Sequence, residues 1–368
     1  MNRLRQFWQY TTKVFHLPAR LRAIRDRRSQ PEIPTRVFSA SLLLGAVLRT
    51  ASLLQLQAHT QRRGWRHLVR WPQTVSDDAF GYVLERYRSE DWRAVEIKDA
   101  TGQPHRVTEY YHRQVYAQIQ GPDFSVILDV EPIRPGADEA AAAVRLLGRL
   151  RRLYGPRFFN VVSVDAWYVT GPFLRAVRKL GWGVVSVLKQ ERSEIYQETT
   201  GLSREQTPQT LAVDGRQVAL REVQELRFGE VGPVRVVLAE ERWTQRRQQG
   251  GRYTREERQS QWRWVATPEL DGYAAEVIWA MGHRRWGVEN HAFNELTQHY
   301  HLTHCPRHEP VAILAWLLIL VLGFNLFELF VRLHGKRWRA GRETLAEEAR
   351  QLDRALEAWQ EFQPLWSG

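Results

Sequence analysis

Apolar positions are spaced in two ways along the chain, and the change falls near residue 93. Before it, Leu43, Leu44, Val47, Leu48, Leu53, Leu54 and Leu56 recur at helical spacing, so residues 1–92 are expected to be helical. Ser76-Asp77-Asp78, just before Ala79-Phe80-Gly81-Tyr82-Val83-Leu84, reads as a helix start with an aspartate cap. Beyond 93 the period shortens. Val95-Glu96-Ile97-Lys98-Asp99 alternates, Ala100-Thr101-Gly102-Gln103-Pro104 is a turn signal, and strands are expected over 110–119 and 125–130. Residues 138–154 read as a helix with an acidic first turn and Arg149, Arg151 and Arg152 in its last turns, a polarity that suits the helix dipole. A continuous apolar strand over 158–164 ends at Asp165. A helix over 171–180 and a second buried strand over 183–188 follow.

This order is three strands, helix, strand, helix, strand. Uninterrupted apolar strands joined by helices imply parallel pairing with both faces covered, while the opening three strands form an antiparallel meander. The expected class is α/β, a mixed sheet with helices on both faces that resembles the ribonuclease H-like fold. In such sheets chemistry gathers at the carboxyl ends of strands, and Asp165 ends the fourth strand. Residues 193–266 form a polar β-rich insertion, with strands expected over 217–228, 234–243 and 259–267. Helices resume near 267 and carry the core to 334. Residues 335–368 form a charged helical tail. The apolar run 311–324 is shorter than the roughly 20 residues that span a bilayer, so a buried core helix is expected there and no membrane.

Composition adds a partner class. The 368 residues carry 53 Lys and Arg against 41 Asp and Glu, a net charge of +12 that favours a polyanion. Arginine forks match phosphate oxygens bidentately. Arg62, Arg63, Arg66 and Arg70, interleaved with Trp65 and Trp71, make the 1–92 region a candidate DNA-contacting module; a basic helical bundle without that role fits equally. The single cysteine, Cys305, excludes an internal disulfide and a thiolate zinc cluster. His299, His301, His304 and His308 lack the paired spacing of a structural zinc site.

Two carboxylates have informative contexts. Asp165 follows Val161-Val162-Ser163-Val164 and precedes Ala166-Trp167-Tyr168. An acid at a buried strand end needs a partner or a metal, although capping of the next helix is an alternative. Glu289 lies in Arg284-Arg285-Trp286-Gly287-Val288-Glu289-Asn290, a helical segment in which Arg285 shares its face. A surface ion pair explains that spacing equally.

The stretch from Gly282-His283-Arg284-Arg285-Trp286 through Glu289-Asn290 to Phe293-Asn294-Glu295-Leu296 resembles the C-terminal signature of insertion-sequence-four-like DDE transposases. Phe158-Phe159-Asn160-Val161-Val162-Ser163-Val164-Asp165 resembles their second-aspartate strand. Tyr110-Tyr111-His112-Arg113, Leu128-Asp129-Val130-Glu131-Pro132 and Val187-Leu188-Lys189 match in order. The resemblance implies metal-dependent cleavage of double-stranded element ends and strand transfer to target DNA. Asp165 and Glu289 would then hold two magnesium or manganese ions, with Arg284 and Arg285 near the DNA backbone. It further implies a homodimer on DNA, in a bacterial, nucleoid-associated cytoplasmic setting.

Three departures stand out. Gly282 occupies the place of a signature Tyr, and Leu296-Thr297 that of a signature Lys. Family members also separate an Asp-Gly first-aspartate strand from Tyr-Tyr-His-Arg by several dozen residues. Here Asp99 is the nearby acid. Either Asp99 is the third metal ligand on a shortened hairpin, or that block is deleted and the chain is an internally shortened derivative that binds DNA without cleaving it.

Overall fold

The structure, a computed structural model, describes residues 3–86, 95–98, 104–107, 113–121, 125–133, 137–189, 191, 193–249, 252–335 and 344–357. These gather into two compact units, one of residues 1–137 with 289–368 and one of residues 138–288.

The first unit opens with six helices: α1 (Arg3–Phe15), α2 (Leu17–Ala23), α3 (Thr35–Val47), α4 (Leu53–Gln61), α5 (Arg63–Val69) and α6 (Asp77–Leu84). The cap of α6 is Ser76, whose Oγ accepts from the Ala79 amide. Asp77 and Asp78 occupy the first turn instead, where their charge suits the dipole. Two antiparallel hairpins follow. β1 (Val95–Lys98) pairs with β2 (Pro104–Val107), and β3 (Gln114–Gln120) pairs with β4 (Ser125–Pro132). Among the described strands these remain separate ladders, so the expected three-strand meander is two hairpins.

The expected 311–324 core helix is α12 in the chain order used below and is longer than its apolar run: Pro310–His334. Its length and composition would suffice to cross a bilayer, yet 56% of its most apolar window is buried within the protein. Two polar residues just beyond that run are inside the helix and packed. Asn325 exchanges two hydrogen bonds with the backbone of Ile127 on β4, and Glu328 is buried and bonded to Arg332. α12 lies against α3, where every residue from Val37 to Val47 is buried. A Cβ on Gly323 would come within 2.6 Å of Ala46 Cβ, so the close approach of these helices requires glycine there. The charged tail contains α13 (Leu345–Glu357), which buries Ala349, Leu352 and Leu356 in the same core.

The second unit is a six-stranded mixed sheet with helices. β5 (Val161–Val164) and β6 (Gly183–Val187) are parallel, joined by α8 (Gly171–Lys179) and preceded by α7 (Glu139–Tyr154). Asp138 caps α7, accepting from the Ala141 amide at 2.6 Å. α9 (Glu194–Leu202), which the polar texture of this stretch had hidden, precedes β7 (Gln209–Val213), β8 (Arg216–Phe228), β9 (Gly232–Gln249) and β10 (Arg252–Ala266). The strand order is β5-β6-β10-β9-β8-β7. The β-rich insertion therefore continues the sheet that holds β5 and β6, through antiparallel pairing of β10 with β6. α10 (Ala275–Arg284) packs on the face made by Val185, Val187, Val237, Ala239 and Trp264; Val184, Val236 and Val265, on the opposite face, are equally buried. The class is mixed α/β.

Candidate active site

Asp165 lies immediately after β5, where the chain leaves the sheet. Its Oδ1 accepts from the Trp167 amide at 2.8 Å and caps a single 3-10 turn, Ala166–Tyr168. Its carbonyl accepts from Ser186 Oγ at 2.7 Å, which ties the residue to the end of the neighbouring strand β6. The carboxylate is half-buried, beside an exposed Trp167. The cap engages one oxygen. The second has no hydrogen bond among the described residues.

Glu289 lies in the first unit and is also half-buried. It falls within a π-helical turn, Val288–Phe293, placed between α10 and α11 (Asn294–His299). Such a turn inserts a residue into the helical ladder and recurs at functional sites. The rest of the segment is anchored in the core of its unit. Phe293 meets Tyr116 edge-on at 4.9 Å, Leu296 is fully buried, and Glu295 binds Arg49 at 3.1 Å. Burial pushes the Tyr116 hydroxyl up to about 12, against a smaller opposing hydrogen bond from Gln114.

Asp99 lies outside the described residues, as do Tyr110, Tyr111 and His112. The strand that leads into Asp99 is present as β1. Arg284 ends α10 exposed, and Arg285 stacks over Trp286 at 4.9 Å. Among Arg62, Arg63, Arg66 and Arg70, Arg63 and Arg70 are exposed and Arg62 and Arg66 are half-buried. Arg62 pairs with Asp353 of α13 at 2.5 Å, and Arg66 binds the Thr60 carbonyl and Thr74 hydroxyl. Those two hold their own unit together.

The sequence reading missed a buried charge network under the signature segment. Glu241 on β9 has no solvent exposure. It receives Arg216 at 2.8 Å, Trp279 Nε1 at 2.8 Å and His283 Nε2 at 2.5 Å, with Ser260 at 3.4 Å. Burial alone would raise this carboxyl; the hydrogen bonds from His283 and Trp279, the His283 charge and the Arg216 bond outweigh it and hold it at about 2. The signal was present in strand alternation: Val237, Ala239 and Glu241 share the inward phase. The absence of the signature Tyr has a reason in the same place. A Cβ on Gly282 would fall 2.1 Å from the Trp264 indole nitrogen, so that ring fills the space beside the helix.

Among the described residues no three His, Cys, Asp or Glu side chains gather as a metal centre would require. The pattern residues that are described, Asp165 and Glu289, offer carboxylate oxygens, the donor chemistry of magnesium and manganese rather than of zinc.

The two sequence-expected carboxylates that are described thus stand at the end of a half-buried parallel strand and in a downstream π-helical turn. Residues 89–326 match the family model described as the transposase DDE domain, and the chain belongs to that family. DDE domains of this kind use divalent metal ions. Among solved structures, a piggyBac transposase synaptic complex with hairpin DNA is similar, at 10% identity and a TM-score of 0.42, over 97% of this chain and 80% of that one. No curated protein sequence matches.

Proposed function

We propose that the chain is an insertion-sequence transposase of the insertion-sequence-four-like group, cutting DNA at its element ends and joining the freed 3′ ends to a target duplex. The observation that carries this reading is Asp165: it sits at a strand end with one oxygen fixed by the Trp167 amide and the other open. Asp165, Glu289 and Asp99 would hold two magnesium or manganese ions, whose chemistry is to activate the attacking oxygen and stabilise the leaving one. The protein's part is to fix those carboxylates. The Asp165 cap and the Ser186 bond to its carbonyl limit its freedom, and the π-turn sets the direction of Glu289. Arg284, Arg285 and Arg63 would contact phosphates. The helical region 1–92 would bind DNA, with two copies acting on a pair of ends.

A second reading is favoured by one observation. Among the described strands β1 pairs only with β2, so the strand leading into Asp99 lies in a different ladder from the one Asp165 closes. This fits an internally shortened derivative that binds DNA without cutting it. One assay separates the two. Purified protein is incubated with element-end duplex and magnesium or manganese, beside Asp165→Ala, Glu289→Ala and Asp99→Ala. The first reading expects cleavage by the wild type and a loss of three or so orders of magnitude in each variant, the scale of removing a group that acts as part of a unit. Binding without cleavage by the wild type establishes the second. Cleavage that survives Asp165→Ala rejects the site assignment.

A further inference from the structure

We propose that the outer half of the β9–β10 hairpin is an arm that docks on duplex DNA; this rests on the transposase reading above and assigns it a contact surface. β8 stops pairing with β9 at Arg216 and Trp243, and β6 pairs with β10 only at 264–266. Residues 244–249 and 252–257 therefore continue as a two-stranded ribbon with no third strand among the described residues. Six residues at about 3.4 Å each extend it by roughly 20 Å. A ribbon of two strands is one of the two elements that the major groove admits.

Its charges point the same way. Arg242, Arg246, Arg247 and Arg255 are exposed, and their side chains make no ion pair or hydrogen bond among the described residues. Of the nearby acids, Glu256 is taken by Arg258, and Glu257 is exposed on the face of Arg246 and Arg255, which leaves the arginines in excess there. Arg246 stands directly opposite Arg255 across the ladder. Like charges in directly opposed positions destabilise a strand pair. Folding alone gives no return for that arrangement, whereas a bound polyanion turns it into an attraction. By strand alternation Arg242, Arg246, Arg255 and Tyr253 share one face, and Tyr253 is 71% exposed. The arm thus presents Arg246, Arg255 and an open aromatic ring on one side, with Arg242 at its base on the same face beside the single acid Glu257, and Arg247 on the other side.

The test uses the full-length protein, a short labelled duplex and binding measured by fluorescence anisotropy across a salt series. One variant changes Arg242, Arg246, Arg247 and Arg255 together to Gln, and a companion changes all four to Lys. The Gln variant is expected to lose about 10- to 100-fold in affinity, and its log affinity against log salt should be shallower by about 3 to 4, near 0.9 per phosphate released. Its unfolding midpoint should equal or exceed the wild type's, because the opposed charges are gone. The Lys variant should keep the wild-type salt slope. Wild-type binding with an unchanged slope in the Gln variant overturns the arm while leaving the DNA reading intact. A wild type that does not bind duplex DNA even at low salt overturns the DNA reading, and the arm with it. Altered self-association in sedimentation with an unchanged salt slope would make the occupant a second copy and also overturns the proposal.

Discussion

A carboxylate without solvent exposure keeps its charge only where donors replace water, and Glu241 has Arg216, Trp279, His283 and Ser260 around it. Its pKa in the fold, about 2, lies below the ordinary 4.5, so the charged form is the one folding favours. The stabilisation is complete above the ordinary value and is lost as pH falls from about 4.5 towards about 2. Urea midpoints measured through that window should therefore fall more steeply for the wild type than for Glu241→Gln. At neutral pH the Gln variant should be less stable by roughly 3 kcal/mol, the scale of removing one partner from a buried ion pair. Equal slopes in the two proteins would show that Glu241 does not carry the pH dependence. Gly282 is the neighbouring case. A methyl there meets a Trp264 ring that is only 1% exposed and has nowhere to move. Gly282→Ala should cost about 1–3 kcal/mol as an overpacked core does, visible as a lower thermal midpoint. A neutral result would mean that the ring relocates.

At the scale of elements, what could be read from the sequence followed the periodicity. β6, α7 and α8 fall where the apolar pattern put them, because a strand buried on both faces and a capped amphipathic helix leave strong local marks; β5 is shorter than the expected 158–164 and half-buried, since it lies at the end of the strand order. The position of Asp165 just past a strand end was legible from the run of four apolar or small residues before it. Three features left no local mark. The pairing of β10 with β6, which makes the insertion part of the sheet, is a contact between residues about 80 positions apart. The π-turn at Glu289 has the composition of an ordinary helix. The extension of α12 past Asn325 depends on a tertiary partner: its amide both donates to and accepts from the Ile127 backbone, as a neighbouring strand would. Asn325→Leu should leave those two buried backbone groups unsatisfied and cost about 1–3 kcal/mol for each, measured by denaturant unfolding. The basic N-terminal helices were equally ambiguous, since sequence does not separate an arginine that binds phosphate from one that binds Asp353. Arg62→Ala should lower stability by up to about 1 kcal/mol, the range of partly exposed pairs, without changing the salt slope of DNA binding. Arg63→Ala should do the reverse. Interchanged outcomes would reassign the two residues.

On the scale of the whole molecule, the two compact units are not equivalent in the chain. One is assembled from two separated stretches, 1–137 and 289–368, whereas 138–288 is continuous. The continuous unit holds its own apolar cluster, from Val185 and Val187 through Val237 and Trp264 to Ile278, and its own buried ion network at Glu241. Its central strands are covered on both faces by residues of the same stretch. At about 150 residues it is within the range in which a chain buries enough surface to fold alone. The family match, residues 89–326, nevertheless crosses both units, and the signature segment itself divides at residue 288, leaving Arg284 and Arg285 in one and Glu289 in the other. Folding and chemistry are thus expected to separate. A fragment of residues 138–288 should unfold in a single cooperative urea transition, with a slope of about 1–3 kcal/mol per molar, and should show the same acid-side loss of stability as the full chain, since the Glu241 network is entirely its own. It should not cleave DNA under any metal condition, because Glu289 is absent from it. Non-cooperative unfolding of the fragment would mean that this core depends on the rest of the chain, and DNA cleavage by it would remove Glu289 from the reaction.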